Sequence, residues 1–586
     1  MSSTPSPRSV LDLAQRAQRP VDRIADRVDV LVVGAGASGA AVAWRLAEGG
    51  RQVTCLEQGD WIPPESVPSL TSTWERARAR SHHPNPNIRM NDWDYPVDDA
   101  DTPIRPLVYN AVGGSTIHWG AHFPRMKPSD FRVATLDGIG RDWPISYDDL
   151  SAYFEINDEV MGVAGLVGDP SQPARGPRQC PPVPPGAGAV RIAQAYDRLG
   201  WHWWPVDAAI LTRDRGDRQG CNNCGPCDLG CPRAARASVD ATYWPVALAA
   251  GVELRTRCTV LRVTSEPGRV TGVDYVDATG AVVHQPAAEV VLAANGMGTA
   301  RLLLLSAADW CPTGLANSSD QVGRNLMHHP TGLVTGVFDE PLAGYAGPFA
   351  VSIFSQEFYE TDESRGFARG YQAQTIRSDG PLGTANGGYT RPVTWGLGHH
   401  DDFDRQFGRT ASITVTTEDL PHPDNRVTLS DTLVDRWGLP APRISYRVEE
   451  RCRETIRFGI ARNTEVLREA GAVDIIAHEL VESAGFHLLG TARMGVDPAD
   501  SVVDAVGRAH DLTNLWVVDG SVFVTAGALN PTSTIQALAL RTADAMLGRP
   551  MLDVPEGLER TTDTEPTGTE PTGTAPTEAA PTGATR

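Results

Sequence analysis

The chain of 586 residues carries a net charge of −20 and a pI near 5.1. Its Lys and Arg form no long basic runs, which disfavours nucleic-acid binding and adhesion to anionic lipid. The length exceeds one ordinary core and implies two or three domains, which can interleave. No apolar run approaches the ~20 residues of a membrane span, and the first 26 residues lack the apolar core of a secretory signal. The expected compartment is the cytoplasm, with export beside a signal-bearing partner subunit left open. Of nine cysteines, four crowd into residues 221–231 and the rest are scattered, which is no secreted disulfide framework.

Residues 1–27 are polar, with one expected short helix at 10–18 behind an N-cap at Ser9. Residues 29–57 read as strand, glycine turn, helix and second strand. The apolar run 29–33 suits a parallel strand buried on both faces. Gly34, Gly36 and Gly39 stand in G-x-G-x-x-G spacing. The first permits the tight turn, the second lets backbone N–H groups approach a pyrophosphate, and the third lets a helix at 40–48 pack close to the strand. Glu57 ends the strand 52–56, about 20 residues on, where a carboxylate accepts hydrogen bonds from both hydroxyls of an adenosine ribose. The expected ligand is a dinucleotide, and this motif alone leaves FAD and NAD open.

Residues 61–106, rich in Pro, Asn, Asp and Arg, read as a lid-like excursion. The turn Gly113, Gly114, Ser115, Thr116 then leads into His118 and Trp119. With the opening cradle, this turn resembles the glucose-methanol-choline (GMC) family of FAD oxidoreductases, whose members carry a G-G-[ST]-[ST] turn beside the flavin. The resemblance makes FAD the expected cofactor. In sugar-oxidising branches of that family a His-Trp pair follows, and the histidine can be joined covalently to the flavin methyl group. His118 and Trp119 occupy that place, with a locally hydrogen-bonded histidine packed under Trp119 as the alternative.

An amphipathic helix is expected within 142–162, with Ser146 as its N-cap, and another at 190–199. Trp201, Trp203 and Trp204 read as core or sheet packing, with stacking on a sugar ring as the alternative. Residues 221–232 fit C-x2-C-x2-C-x3-C-P, a spacing in which a short loop can wrap an iron–sulfur cube. A thiol or disulfide loop and a zinc site are the other readings. The resemblance implies a three-iron cluster on Cys221, Cys227 and Cys231, as in catalytic subunits of multi-subunit sugar dehydrogenases, with Cys224 an extra thiol. Strands at 252–263, 269–276 and 288–293 lead into a second glycine turn, where Asn295 stands in place of the family's usual glycine. Asn tolerates the left-handed backbone better than most residues. Alternating segments across 331–448 argue an antiparallel sheet.

A helix at 451–470 returns the chain to 485–495, and 515–520 makes another buried strand ending in an acid, Asp519. Pro531 opens a helix whose positive end can support the charge of a reduced flavin. In the family a histidine, and a later His or Asn before Pro-Thr, form the catalytic pair; His487 and Asn530 match, and Asp519 and Thr532 join the expected cofactor contacts. The resemblance covers 28–549 and implies an α/β fold. A Rossmann-like FAD-binding domain (28–165, 236–330 and 485–552) would interleave with an antiparallel-sheet substrate-binding domain (331–484). A substrate-side excursion at 166–235 and a tail at 553–586, too poor in apolar residues to fold, complete the chain. The implied activity is FAD-dependent oxidation of a CH–OH group of a sugar, sugar acid or related alcohol by hydride transfer to flavin N5. His487 would act as base and Asn530 would hold the same oxygen. A dehydrogenase passing electrons to a quinone or an electron-transfer subunit is expected. An oxidase of the pyranose oxidase type using O2, a lyase with a redox-idle FAD and a non-catalytic flavoprotein are the alternatives.

Overall fold

The computed structural model describes residues 27–561. The short helix expected at 10–18 lies outside them, as does the tail beyond residue 561. The first strand, β1 (Val28–Val33), is followed by helix α1 (Ala37–Glu48) and strand β2 (Val53–Leu56). β1 pairs in parallel with β2 on one side and with Val282–Leu292 on the other. Flanked on both edges and covered on both faces, its residues from Val30 to Val32 are wholly buried, which is why the segment is apolar without alternation.

Val282–Leu292 serves two kinds of neighbour along its length. Its first half pairs antiparallel with Arg269–Val276, and its second half pairs in parallel with β1 and with Leu515–Val517. The seven-stranded sheet therefore joins chain segments from both ends of the molecule. The strand expected at 252–263 is broken into Glu253–Arg255 and Thr259–Glu266. At the break Arg257 takes a left-handed backbone, and the N–H groups of Arg257 and Cys258 donate to the carbonyls of Gly59 and Glu57. Those bonds satisfy the backbone just beyond β2, where the ladder has ended.

A six-stranded antiparallel sheet forms the second layer, in the order Asp474–His478, Thr331–Val337, Thr410–Thr417, Tyr371–Ile376, Ile353–Ser355, Trp204–Pro205. Helix Glu450–Glu469 lies on it, with Ile456 and Leu467 packed among Val334, Ile413 and Val415. Trp201 and Trp203 pack against this core and Trp204 enters the sheet, as the packing reading expects. Ser146 and Asp149 exchange hydrogen bonds at the start of helix Asp148–Met161, a reciprocal cap. Residues 553–561, grouped with the tail in the sequence, come back to that helix: the Thr561 N–H and hydroxyl donate to Asp148. Among the described residues no helix is long and apolar enough to cross a membrane.

Candidate functional site

A cavity of about 870 Å³ opens where the two sheets meet. Its lining begins at the turn after β1. Gly34 has φ +104°, and a Cβ there would sit 2.5 Å from the Ala293 carbonyl oxygen. Gly36 and Gly114 are closely apposed: a Cβ on Gly36 would lie 3.9 Å from the Gly114 Cα, and a Cβ on Gly114 would come within 2.9 Å of the Gly36 Cα. The two glycine turns are tied together, because the Gly113 N–H and the Trp244 indole both donate to the Ala35 carbonyl. Backbone atoms thus line a slot at the N-terminus of α1, where N–H groups favour a pyrophosphate.

Glu57 closes this cradle. It is buried, and the Ala35 and Gly59 N–H groups donate to its two oxygens at 2.8 and 2.9 Å. Burial pushes its carboxyl up to about 7, against the pull of those backbone hydrogen bonds. Each oxygen keeps a lone pair for a further donor. Asp519, also buried, accepts from the Thr299 hydroxyl at 2.5 Å and the Ser521 N–H at 2.9 Å. Burial raises its pKa. Asn295 adopts φ +67°, as its tolerance of that region allows, and its side chain accepts from the N–H groups of Met297 and Gly298.

Of the ten expected cofactor residues, Gly34, Gly36, Glu57, Gly114, Ser115, His118, Asp519 and Thr532 line the cavity. Gly39 and Gly113 do not, and their role is one layer back. A Cβ on Gly39 would lie 1.9 Å from the Gly34 carbonyl oxygen, so the residue sets the approach of α1 to β1. Gly113 turns the chain at φ +103°.

His118 is buried with its Nδ1 2.8 Å from the Asp228 carbonyl oxygen, so Nδ1 carries the proton. Its Nε2 is bare, buried and without a hydrogen-bond partner. Burial holds the ring well below the usual histidine pKa, hence neutral. It packs edge-on against Tyr109, 4.0 Å between ring centres, rather than under Trp119. Asp228 is itself paired with Arg78 and Arg377.

That carbonyl belongs to the cysteine loop. Among the described residues no group of three or more His, Cys, Asp or Glu side chains is positioned to hold a metal ion. Cys221, Cys227 and Cys231 are free thiols, as are the other cysteines. The Cys227 thiol donates to the Gly225 carbonyl, and burial pushes it up to about 12, while Cys221 accepts from the Asn223 N–H. The loop's visible contribution is the carbonyl that orients His118.

His487 and Asn530 both line the cavity. The His487 segment is wedged between two glycines: a Cβ on Gly296 or Gly520 would come within 2.2 or 2.8 Å of the Leu488 carbonyl oxygen. His487 Nδ1 lies 2.9 Å from His329 Nδ1, and His329 Nε2 lies 2.8 Å from the Gly527 carbonyl oxygen. Burial lowers both imidazoles, His329 to about 4 and His487 well below its ordinary value. The Asn530 carbonyl oxygen accepts from Gln374 Nε2 at 2.5 Å, and the Gln374 oxygen accepts from His122 Nδ1 at 2.7 Å. Sequence reasoning singled out neither His122 nor Gln374 and gave His329 no role. The available signal was two glutamines, Gln372 and Gln374, both buried in the strand Tyr371–Ile376.

A cradle that added Cβ atoms would fill, a buried carboxylate with free lone pairs and an orphaned imidazole nitrogen all fit a flavin dinucleotide. The comparisons agree. GMC oxidoreductase family models match residues 189–331 and 421–539, and an FAD dependent oxidoreductase model matches 29–67. The chain is 42% identical over 545 residues to the 2-methyl-1,2-propanediol dehydrogenase of Mycolicibacterium austroafricanum, covering 92% of this chain and 98% of that protein. It is 30% identical to the fructose dehydrogenase large subunit of Gluconobacter japonicus, covering 89% and 97%. It is 33% identical to the paromamine 6'-oxidase of Streptomyces fradiae, covering 89% and 92%. The crystal structure of pyridoxine 4-oxidase from Mesorbium loti shares the fold, with a TM-score of 0.60 at 20% identity over 89% of this chain and 99% of that one.

Proposed function

The chain belongs to the GMC oxidoreductase family and is an FAD-dependent enzyme acting on CH–OH donors, and on that premise we propose that His487 takes the hydroxyl proton while Asn530 holds the same oxygen. Bound FAD supplies the hydride acceptor. Gly34, Gly36, Gly114 and Ser115 would hold its pyrophosphate and Glu57 its ribose. His118 would meet the flavin ring through its bare Nε2, by a hydrogen bond or a covalent bond to the ring methyl.

The observation that carries the assignment is that His487 and Asn530 open into the same cavity as this cradle. A neutral imidazole in a buried site can accept a proton at neutral pH, and an amide N–H donor can offset the charge left on oxygen. The six-stranded sheet would supply the substrate wall through Thr331, Leu333, Gln374, Ile376, Thr414 and Thr416. Hydroxyls and an amide among them suit a small polyol or sugar, and the names of the relatives include a diol and fructose. A dehydrogenase is favoured, with a quinone or an electron-transfer protein as acceptor. The oxidase among the named relatives, paromamine 6'-oxidase, gives the O2-using form as the second reading.

In the test, FAD-loaded enzyme is mixed anaerobically with small diols and sugars, and flavin bleaching is followed in a single turnover. His487→Ala should keep its FAD and slow bleaching by roughly 10²- to 10⁴-fold. Bleaching at the wild-type rate would refute the base assignment. A wild-type flavin that no alcohol bleaches would instead favour the redox-idle lyase. Reoxidation of the reduced enzyme by O2 or by a quinone then separates oxidase from dehydrogenase.

A further inference from the structure

We propose that His329 is a positioning residue for this reaction: its ring obliges His487 to carry its proton on Nδ1 and so leaves the Nε2 lone pair free to take the substrate's proton. The inference rests on the assignment of His487 as base. It starts from the one group in the chain that has no choice. The Gly527 carbonyl oxygen only accepts, so His329 Nε2, 2.8 Å away, must be the donor. A neutral imidazole has one N–H, so His329 Nδ1 is an acceptor. It faces His487 Nδ1 at 2.9 Å, with the rings near perpendicular at 89° and their centres 4.8 Å apart. That contact exists only if His487 Nδ1 donates.

The relay is anchored beyond the carbonyl. The same peptide unit presents the Ala528 N–H to the Tyr359 hydroxyl at 3.1 Å, and that hydroxyl donates to the Asp130 carboxylate at 2.9 Å. Asp130 is paired with Arg369, which also holds Glu418, and Glu418 accepts from the Gly527 N–H at 3.2 Å. Tyr359, Asp130, Arg369 and Glu418 are buried. Every dipole in the chain from Asp130 to His487 points its negative end toward His487. When the substrate O–H bond breaks, its electron pair stays on oxygen and its proton joins His487 Nε2, while His329 keeps its own proton. The new imidazolium then donates through Nδ1 to a neutral acceptor already in place, and the oxidant is the one the known activity uses.

The titratable groups against His487 are His329 and His328, whose charged forms would lower its pKa, but burial holds both rings neutral. Behind His328 stand Tyr446 and Asp419, and behind His329 stand Tyr359, Asp130, Arg369 and Glu418. Removing the His329 ring takes away the acceptor that steadies the His487 imidazolium, so the His487 pKa falls and the acid limb of the flavin-reduction profile moves to lower pH. A residue that merely fills space would not move it.

The experiment uses full-length FAD-loaded enzyme and an alcohol that bleaches the wild type. Histidine labelled with ¹⁵N, assigned with His487→Gln and His329→Asn, should show His487 protonated at Nδ1 and bare at Nε2. His329→Leu should slow anaerobic flavin reduction on the order of 10- to 100-fold and shift the acid limb to lower pH. His329→Asn, which keeps an acceptor near the lost Nδ1, should recover most of the rate, and Tyr359→Phe should cost only a few-fold. The opposite tautomer at His487 would overturn the proposal. So would a His329→Leu enzyme with unchanged rate and unchanged limb beside an inactive His487→Ala. A His487→Ala enzyme of wild-type rate would remove the base assignment itself, a distinct outcome. Should His329→Leu lose its flavin, the tautomer and Tyr359→Phe still decide.

Discussion

The cradle draws on β1, α1 and β2, a stretch of chain running from Val28 to Leu56, plus Glu57 and the second glycine turn. The catalytic side draws on His122, His329, Gln374, His487 and Asn530, which come from five separate segments. In the cradle the working atoms are backbone N–H groups and the room left by missing Cβ atoms. On the catalytic side they are side-chain donors and acceptors whose direction matters more than their bulk. The first kind of site should fail when atoms are added and tolerate little else. The second should fail when one hydrogen bond changes direction, even at constant volume.

The largest effect expected from that contrast is Gly39→Ala. Its Cβ would meet the Gly34 carbonyl oxygen at 1.9 Å, a clash with backbone that no rotamer relieves. Overpacking of this kind costs about 1–3 kcal/mol or more, so both the melting temperature and FAD content should drop. Gly36→Ala sharpens the comparison. Its Cβ would have only the Gly114 Cα near it, at 3.9 Å, and would occupy space meant for the cofactor. The apoprotein should melt close to wild type while FAD binding is lost. Equal melting losses in both variants would break the distinction between packing glycine and ligand glycine.

The same contrast explains what could be read in the sequence. Glycine spacing, an apolar run and a terminal acid are local, so the cradle, its two glycine turns and the left-handed Asn295 were legible residue by residue. His487 and Asn530 entered through resemblance, because nothing local marks a histidine as a base. Their partners were not legible at all: that Gln374 meets Asn530 depends on which strand of the second sheet faces the C-terminal helix. The cysteine run shows the opposite failure. Its spacing states what a loop could wrap, but the Cys227 thiol is turned to its own backbone at Gly225.

Glu57→Gln should come next in size. It keeps the shape but removes the charge-assisted acceptor, costing FAD on the order of 1.5–3 kcal/mol of binding at pH 8. Because the wild-type carboxyl is pushed up to about 7, it is largely protonated in the acid-side apoprotein. Ribose hydroxyls donate to the ionised form, so binding favours release of that proton. FAD affinity of the wild type should therefore rise as pH climbs from 6 to 8 and then level off. Isothermal titration across that range should show the rise in the wild type and its absence in Glu57→Gln.

The smallest effect expected is at Gln374, and it tests whether direction alone matters. His122 makes its shorter contact through Nδ1, 2.7 Å from the Gln374 oxygen, against 3.3 Å from Nε2 to the Val351 carbonyl oxygen; with Nδ1 as the donor, the Gln374 amide nitrogen faces Asn530 and donates to its oxygen. The Asn530 amide nitrogen is then the atom left for the substrate oxygen. Gln374→Leu removes this constraint at similar volume, letting Asn530 present either end. The loss should be about one hydrogen bond, roughly 0.5–1.5 kcal/mol, and should fall on kcat more than KM, since the donor matters most as charge develops on oxygen. Asn530→Ala should cost more than Gln374→Leu but less than His487→Ala. In the double variant Gln374→Leu should add almost nothing to Asn530→Ala, because Gln374 acts through Asn530. Additive losses in that cycle would mean that Gln374 touches the substrate itself.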